Sequence, residues 1–277
     1  MRKLFQYLRI LLTVGIKILF INLFFTRKYA KHPEKYPLKV RYNRLRKEII
    51  DVFKAFHIEL DVKGLEYLNS PGKKIVVSNH LSMIDPLCFI YLSEEPIVFV
   101  GKKEAFDVPI LRTALKSIGC IPVDREHLFN QIGTIKDIVK KTKDPEDANM
   151  GIFIEGTRNR HPGNPTLEYK DGTAKVCQMT KQDIVPIVHY GTFRILHKKI
   201  HMKKYPVQIR IHKPIKAEEY QTIDPKVLAK SLEDMANNEL LELRNIDTQI
   251  IKNAKLSKHQ MYMSLAINEP VKQIESN

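Results

Sequence analysis

A histidine and a carboxylate stand five positions apart in the segment Asn-His-Leu-Ser-Met-Ile-Asp, residues 79–85. Histidine is the side chain best suited to accept a proton near neutral pH, and a nearby carboxylate can fix its tautomer and stabilise the imidazolium. Positions five apart on a regular helix point about 140° away from each other, so a helix would separate the pair. We therefore expect His80 and Asp85 to lie on a strand-to-helix loop, where Asp85 reaches a ring nitrogen of His80.

The residues around this segment favour that placement. The apolar run 75–77 precedes it, and Asp85 followed by Pro86 resembles a helix N-cap with proline at the first helical position. The alternative is that His80 is an ordinary loop histidine and that Asp85 only caps the helix. The pair taken alone does not decide between these two interpretations.

The composition restricts the class of protein. The chain has 277 residues, enough for one catalytic domain with an appendage, and a formal net charge of +15. That charge favours an anionic partner, either nucleic acid, an acidic membrane surface or a phosphorylated substrate. The three cysteines form no Cys-x-x-Cys pair, which predicts neither a disulfide framework nor a zinc site and indicates a reduced, intracellular setting.

Residues 5–25 form an apolar stretch with a narrow polar stripe, which is typical of a helix lying in the membrane interface. On a helical wheel, the polar residues fall within a sector of about 80°: Arg2, Gln6, Arg9, Thr13 and Lys17. A single transmembrane span is long enough but would bury Lys17, at a cost of roughly 2.5–3.5 kcal/mol. We therefore favour monotopic attachment over a single span. The charges and the lack of an Ala-x-Ala pattern argue against a cleaved signal peptide.

A second helix is predicted over residues 38–56, where apolar residues recur at helical spacing. Cations crowd this region: Arg27, Lys28, Lys31, Lys35, Lys39, Arg41, Arg44, Arg46 and Lys47. Cations just past an interfacial helix attract anionic lipid headgroups, at about 1 kcal/mol each near the surface. The alternative is that these cations are simply solvated. We expect some of them to bind lipid headgroups and others to face only solvent.

The pattern then alternates between strands and helices. Strands are predicted at 57–62, 74–77, 97–100, 121–123, 151–154, 183–188 and 207–211, and helices at 86–92, 109–118, 130–141 and 172–179. This alternation predicts an α/β fold with a mixed, largely parallel sheet flanked by helices. Ligands gather at the C-terminal ends of strands in such sheets, and His80, Arg125 and Glu155 each follow a predicted strand.

These patterns divide the chain into three parts. Residues 1–57 are the N-terminal helix pair for membrane attachment, 58–223 form the α/β domain, and 224–277 are a helical C-terminal extension of unknown role. Helical patterning in the extension begins at about Asp224, and the segment after it is expected to be polar and weakly structured.

Four blocks of residues match a known family in that family's order. They are Asn-His-Leu-Ser-Met-Ile-Asp at 79–85, Gly-Cys-Ile-Pro-Val-Asp-Arg at 119–125, Phe-Ile-Glu-Gly-Thr-Arg at 153–158 and Ile-Val-Pro-Ile at 184–187, with Gly-Lys-Lys-Glu at 101–104 before the second. The chain resembles the membrane-associated glycerolipid acyltransferases, and most closely the bacterial 1-acyl-glycerol-3-phosphate acyltransferases. The chain departs from the family pattern in two of the blocks: Ile154 replaces a proline, and Pro122-Val123 replaces an aromatic-aliphatic pair.

The resemblance implies an acyltransferase domain and its reaction. Such an enzyme transfers a fatty acyl group from an acyl thioester of acyl carrier protein or coenzyme A to the sn-2 hydroxyl of lysophosphatidate. The product is phosphatidic acid, for phospholipid synthesis, and neither a cofactor nor a metal is implied. Glycerol-3-phosphate or another lysophospholipid is the alternative acceptor. The implied location is the cytoplasmic face of the cell membrane, on the phospholipid surface.

The resemblance also implies roles for individual residues. His80 is the implied base and Asp85 its orienting carboxylate, since acyl transfer to a hydroxyl needs a base and a stabilised oxyanion. The remaining residues are expected to bind substrate: Arg125, Glu155, Gly156, Thr157, Arg158, Ser82 and Lys102.

Three of these expectations carry alternatives. Glu155 either holds a glycerol hydroxyl or forms a structural ion pair with Arg125 or Arg158, and Lys102 either extends a basic rim or is simply solvated. Ser82 is a hydrogen-bonding support if the acceptor attacks directly, and a nucleophile otherwise. The chain has no Gly-x-Ser-x-Gly elbow, which favours direct attack.

A non-catalytic basic protein that binds membranes or nucleic acid is the competing class. The net charge permits it, but the chain shows no nucleic-acid motif and no aromatic stacking platform. A charged patch would also not require a His-x4-Asp pair followed by Glu-Gly-Thr-Arg. We therefore predict no nucleic-acid partner.

Overall fold

The computed structural model describes residues 26–123, 138–140 and 148–270. The apolar stretch 5–25, Arg125 and most of the helix predicted at 130–141 lie outside the described residues. Monotopic attachment or a single span through 5–25 therefore stays a prediction. Among the helices in the described ranges, none combines the length and the apolar character needed to cross a bilayer.

The strands of the described part form one seven-stranded sheet. They are β1 Ile58–Lys63, β2 Lys74–Ser78, β3 Ile97–Lys102, β4 Ile121–Val123, β5 Asn149–Phe153, β6 Asp183–Tyr190 and β7 Tyr205–Ile211. Their order across the sheet is β1-β7-β6-β2-β5-β3-β4. Neighbouring strands are parallel except β6 and β7, which are antiparallel. The predicted mixed, largely parallel sheet is confirmed.

Helices flank this sheet. They are α1 Arg27–Lys31, α2 Leu38–Ala55, α3 Leu65–Leu68, α4 Asp85–Leu92, α5 Pro109–Ser117, α6 Asp171–Thr180, α7 Ala217–Tyr220, α8 Pro225–Asn253 and α9 Lys258–Ala266. The central strands β2 and β5 are buried along their whole length, as expected for parallel strands that are covered on both faces. The edge strand β1 instead alternates between half-buried and exposed residues.

Helix α2 packs into the hydrophobic core. Leu38, Tyr42, Ile49 and Phe53 are buried along one face of it, as expected for apolar residues that recur at helical spacing. The same core cluster includes residues of the sheet and of α8. The proposed division into 1–57, 58–223 and 224–277 stays a prediction, although described residues of all three parts contribute to one core.

Several cations of the basic set on α2 are held by protein groups. Arg41 is buried and donates to the carbonyls of Tyr36 at 2.8 Å and Ser117 at 2.6 Å. Arg46 donates to the carbonyl of Tyr91 at 3.0 Å. These arginines bind α2 to the neighbouring helices α5 and α4, so a solvated basic face does not describe them.

The C-terminal part begins with the predicted helix. The Asp224 carboxylate accepts a hydrogen bond from the Lys226 N–H at 2.8 Å, which caps α8 just before its first residue, Pro225. The apolar face of α8 packs on α6, β6 and β7. The prediction that the segment after α8 is weakly structured is wrong for residues 258–266, which form α9. Ser257 caps this helix, and buried Arg194 donates to the carbonyl of Ser264 within it.

Candidate active site

His80 and Glu155 lie side by side because β2 and β5 are neighbours in the sheet. Ser78, the last residue of β2, is paired with Phe153, the last residue of β5. His80 and Glu155 each lie two residues further on, at the C-terminal edge where ligands of parallel sheets gather. The His80 backbone N–H donates to Glu155 Oε1 at 2.6 Å.

The histidine and the aspartate of the segment 79–85 are in contact. His80 Nδ1 lies 2.8 Å from Asp85 Oδ2, so the contact predicted from the sequence is confirmed. The same carboxylate oxygen accepts the backbone N–H of Leu81 at 2.7 Å and that of Ser82 at 2.8 Å. The turn 81–84 thus wraps around the carboxylate and presents it to the imidazole.

The expectation that Asp85 caps helix α4 is wrong. Helix α4 begins at Asp85 itself, Ile84 precedes it, and no side chain caps the helix. The carboxylate points back toward the loop because two backbone N–H groups and the His80 ring converge on one of its oxygens. The proline at 86 is therefore the second residue of the helix.

Asp85 also faces a second histidine, which reasoning from the sequence missed. His189 Nε2, on β6, lies 3.1 Å from Asp85 Oδ1, and both side chains are fully buried. Burial by itself raises the pKa of Asp85, but the close contacts with His189 and His80 outweigh burial and hold that pKa well below its usual range. Asp85 is therefore a carboxylate at neutral pH.

The signal for His189 in the sequence is weak. It is a histidine near the end of an otherwise apolar strand, and such residues often fill structural roles. The pairing of β6 with β2 brings it to the segment 79–85. The Asn79 side chain holds β6 next to this segment with two hydrogen bonds: its Oδ1 accepts the His189 N–H at 3.0 Å and its Nδ2 donates to the His189 carbonyl at 3.0 Å.

Aromatic rings fix the plane of the His80 side chain. The ring centroids of His80 and Phe153 are 4.2 Å apart with planes inclined by 19°, and Phe153 stacks in turn with Phe99 at 5.9 Å. Gly151 leaves room for this stack, because a Cβ there would come within 2.4 Å of the Phe99 ring. With Nδ1 directed at Asp85, the ring nitrogen suited to accept a substrate proton is Nε2.

Glu155 is a buried carboxylate that binds two backbone N–H groups. Its Oε1 accepts from His80 at 2.6 Å, and its Oε2 accepts from Leu167 at 2.8 Å. This arrangement favours support of the His80 loop over the suggested ion pair with Arg158. Burial raises the pKa of Glu155 to about 7; the two backbone hydrogen bonds oppose the rise, and the charges of Asp85 and Glu233 add to it.

Glu155 is expected to lower the free energy of unfolding as the pH rises. The unfolded chain releases this proton near the ordinary pKa of 4.5, whereas the folded protein keeps it up to a pKa of about 7. The folded state thus binds more protons than the unfolded chain between pH 4.5 and about pH 7. The free energy of unfolding is therefore highest below pH 4.5 and falls as the pH rises through about 7, by on the order of 3 kcal/mol in total.

The measurement is urea unfolding of the wild type and Glu155→Gln at about pH 5 and about pH 8. Other groups titrate in both proteins and cancel in the difference, so the glutamine variant should show the smaller loss between the two pH values. Equal losses in the two proteins would contradict a raised Glu155 pKa.

The remaining predicted residues of the third block form a turn next to the His80 loop. Gly156 has φ +70°, a conformation that favours glycine, and its N–H donates to the Phe153 carbonyl at 3.0 Å. Thr157 is exposed and Arg158 half-buried. The turn is tied to the loop because the N–H of Asn159 donates to the His80 carbonyl at 2.7 Å.

Ser82, Lys102 and Arg125 differ in how closely they join this site. Ser82 Oγ accepts the Ile84 N–H at 3.3 Å, within the turn around Asp85. Lys102 ends β3, which β5 separates from β2, and its exposed Nζ lies 3.3 Å from Glu104. Arg125 is beyond the described residues. Within the described ranges, no group of three His, Cys, Asp or Glu side chains is placed to hold a metal ion.

The part of the chain that contains this site matches a known protein family. The sequence model of the family described as Acyltransferase matches residues 59–190, a range that includes His80, Asp85, Glu155 and His189. A 1-acyl-sn-glycerol-3-phosphate acyltransferase from Borreliella burgdorferi is 31% identical over 168 residues, which are 59% of this chain and 66% of that protein. The chain belongs to the acyltransferase family. The resemblance predicted from the four blocks is confirmed.

Two further acyltransferases extend the comparison. A probable 1-acyl-sn-glycerol-3-phosphate acyltransferase from Mycoplasma pneumoniae is 26% identical over 244 residues, 80% of this chain and 86% of that protein. The crystal structure of the 1-acyl-sn-glycerophosphate (LPA) acyltransferase PlsC from Thermotoga maritima superposes with a TM-score of 0.63 at 20% identity, over 86% of this chain and 98% of that one. The structural likeness shows that the protein described here has the same fold as the Thermotoga maritima enzyme.

Proposed function

We propose that this protein transfers a fatty acyl group from an acyl thioester to the sn-2 hydroxyl of 1-acyl-glycerol-3-phosphate, which gives phosphatidic acid. The single observation that carries the proposal is the 2.8 Å contact between His80 Nδ1 and Asp85 Oδ2 at the C-terminal edge of the sheet, inside the range of the acyltransferase match. The related proteins are named as 1-acyl-sn-glycerol-3-phosphate acyltransferases, which supports lysophosphatidate as the acceptor.

His80 acts as the base in this reaction. The acceptor hydroxyl attacks the thioester carbonyl while its proton passes to His80 Nε2, and the ionised Asp85 carboxylate stabilises the imidazolium that forms. The tetrahedral intermediate then breaks its C–S bond, and the imidazolium returns the proton to the departing thiolate. The two steps leave His80 neutral and release a free thiol and the acylated product.

The acceptor phosphate is bound by cations and backbone N–H groups. The turn of Gly156, Thr157 and Arg158 supports this role, because it follows β5 and is fastened to the His80 loop. A guanidinium offers planar paired donors to a phosphate, and a turn with a left-handed residue can present backbone N–H groups to an anion. Arg125 and Lys102 contribute further positive charge in this proposal.

The enzyme works on the membrane surface in this proposal. A formal net charge of +15 and the basic residues around α2 support attraction to anionic lipid, and the apolar stretch 5–25 supplies the attachment, monotopic or as a single span. Attachment at the cytoplasmic face lets the enzyme take lysophosphatidate from the bilayer and the thioester of acyl carrier protein or coenzyme A from the aqueous side.

One assay tests the acceptor, the donor and the surface together. Purified full-length protein is given lysophosphatidate in phosphatidylglycerol or in phosphatidylcholine vesicles, with acyl-coenzyme A or acyl carrier protein thioester. We expect phosphatidic acid with at least one thioester, and faster on the anionic vesicles. A parallel reaction contains glycerol-3-phosphate as the acceptor. The proposal is overturned if neither donor gives phosphatidic acid, or if the protein acylates glycerol-3-phosphate and not lysophosphatidate. Equal rates on both vesicles would contradict the role of anionic lipid.

A further inference from the structure

Asp85 is the centre of a buried polar chain that links two histidines. Its Oδ2 lies 2.8 Å from His80 Nδ1, and its Oδ1 lies 3.1 Å from His189 Nε2. On the far side of His189, Ser78 Oγ lies 3.1 Å from Nδ1. The proposed reaction uses the His80 half of this chain and gives no reason for the His189 half.

The His189 ring is held in place from several directions. Its backbone N–H and carbonyl are both bound by the Asn79 side chain, and its ring meets Phe89 edge-on, with centroids 5.6 Å apart and planes at 87°. Within the described residues, neither Asp85 Oδ1 nor His189 Nε2 has an aligned hydrogen-bond partner elsewhere. The two atoms are therefore each other's close polar neighbour, in an electrostatic contact that is not aligned as a full hydrogen bond.

We propose that His189 is a positioning residue that holds Asp85 Oδ1 so that Oδ2 stays directed at His80 Nδ1. The inference rests on the proposed function, in which His80 is the base, and extends the histidine–aspartate pair to a chain of Ser78, His189, Asp85 and His80. His189 contacts no substrate in this scheme and acts through Asp85.

Sharing one carboxylate between two imidazoles has an electrostatic consequence. His189 draws on negative charge that would otherwise stabilise a proton on His80, because donors to one carboxylate compete for its charge. Without His189, the His80 ring should hold its proton to a higher pH, and Asp85 should lose one restraint on its orientation. Among the described residues, Glu155 after β5 and Cys88 on α4 also interact electrostatically with Asp85, and both remain in every variant.

The test compares His189→Phe with His189→Gln. Phenylalanine keeps a planar ring without nitrogens, whereas the glutamine amide keeps an N–H donor near the position of Nε2. We expect His189→Phe to lose on the order of ten- to a hundredfold in kcat/KM, and the acid limb of its pH profile to move to higher pH. His189→Gln should keep the wild-type acid limb and most of the activity.

A second readout needs no turnover. Nitrogen NMR of histidine-labelled protein follows the titration of the His80 ring, whose signal is assigned by its loss in His80→Ala. The titration midpoint should rise in His189→Phe and stay unchanged in His189→Gln. If the wild type transfers no acyl group, the proposed function fails, but this titration still tests whether His189 and His80 share Asp85.

Tyr190→Phe is the matched control on the same strand. Its hydroxyl is buried and donates to Asn268 Oδ1 at 2.9 Å, away from Asp85, so the variant should lose some thermal stability and keep the wild-type pH profile. Unchanged activity and midpoint in His189→Phe overturn the proposal. Equal losses in both His189 variants with an unchanged midpoint also overturn it, since they indicate packing alone. If His189→Phe does not fold, His189→Leu replaces it as the variant without an N–H donor, with the same expected results and the same outcomes that overturn the proposal.

Discussion

Replacing His80 by alanine is expected to lower kcat for acyl transfer by roughly 10²–10⁴-fold, the usual contribution of a general base. The geometry supports a loss of this size, because the ring is aligned by Asp85 at 2.8 Å and by the stack on Phe153 at 4.2 Å. The turn at 156–158, which we propose binds the acceptor phosphate, remains in this variant, so KM for the acceptor should change little. Steady-state rates over a range of lysophosphatidate concentrations provide the measurement.

Ser82→Ala is the companion variant, three positions from Asp85. Its Oγ accepts one hydrogen bond, from the Ile84 N–H at 3.3 Å, so its removal should weaken the turn and leave part of the activity. An inactive Ser82→Ala protein, together with an acyl group covalently attached to Ser82 in the wild type, would make Ser82 the nucleophile. A His80→Ala enzyme with near wild-type kcat would remove His80 as the base.

Asp247→Leu is expected to lower the free energy of unfolding by about 3–5 kcal/mol. Arg194, just after β6, donates to both carboxylate oxygens of Asp247 on α8 at 2.7 Å, and both side chains are fully buried. Asn268 donates to Asp247 Oδ2 at 2.7 Å and accepts from Arg194 at 2.8 Å, which ties the end of α9 to the same pair. The substitution leaves a buried guanidinium without its countercharge. Urea unfolding followed by circular dichroism measures the loss.

Two variants control for this effect. Asp234→Asn, on the same helix, removes an exposed ion pair with Lys230 at 2.8 Å and should change stability far less than Asp247→Leu does. The double variant Arg194→Met with Asp247→Leu should recover part of the loss, because it removes the uncompensated charge as well. An Asp247→Leu protein as stable as Asp234→Asn would show that the buried pair does not hold the C-terminal helices.

The secondary structure could be predicted well because the patterns that specify it are local. Each predicted strand of the sheet is present, with ends within two residues of those expected. Strands β2 and β5 each contain an apolar run, at residues 75–77 and 150–153, and α8 begins where aspartate is followed by proline. The failures were also local: the Asp85 carboxylate binds the turn before it rather than α4, and α9 forms in a segment whose apolar periodicity is weak.

About half of the candidate site could be predicted in the same way. The contact of His80 with Asp85 spans five residues, and the chain between them makes a single turn, so spacing and residue type were sufficient. The role of Glu155 was left open, because its partners are the backbone N–H groups of His80, 75 residues away, and of Leu167. Side-chain identity does not reveal that a carboxylate will bind main-chain groups.

The amino-acid sequence determined which elements form, the class of the sheet and the pairing of one histidine with one aspartate, because each depends on neighbours along the chain. Only the tertiary structure decided that Asp85 is shared with His189 and that Arg194 meets Asp247. Those partners are distant in the sequence and are brought together by the order of strands and the docking of helices. Hydrophobic periodicity specifies the buried face of an element but not the buried polar group that will stand opposite it.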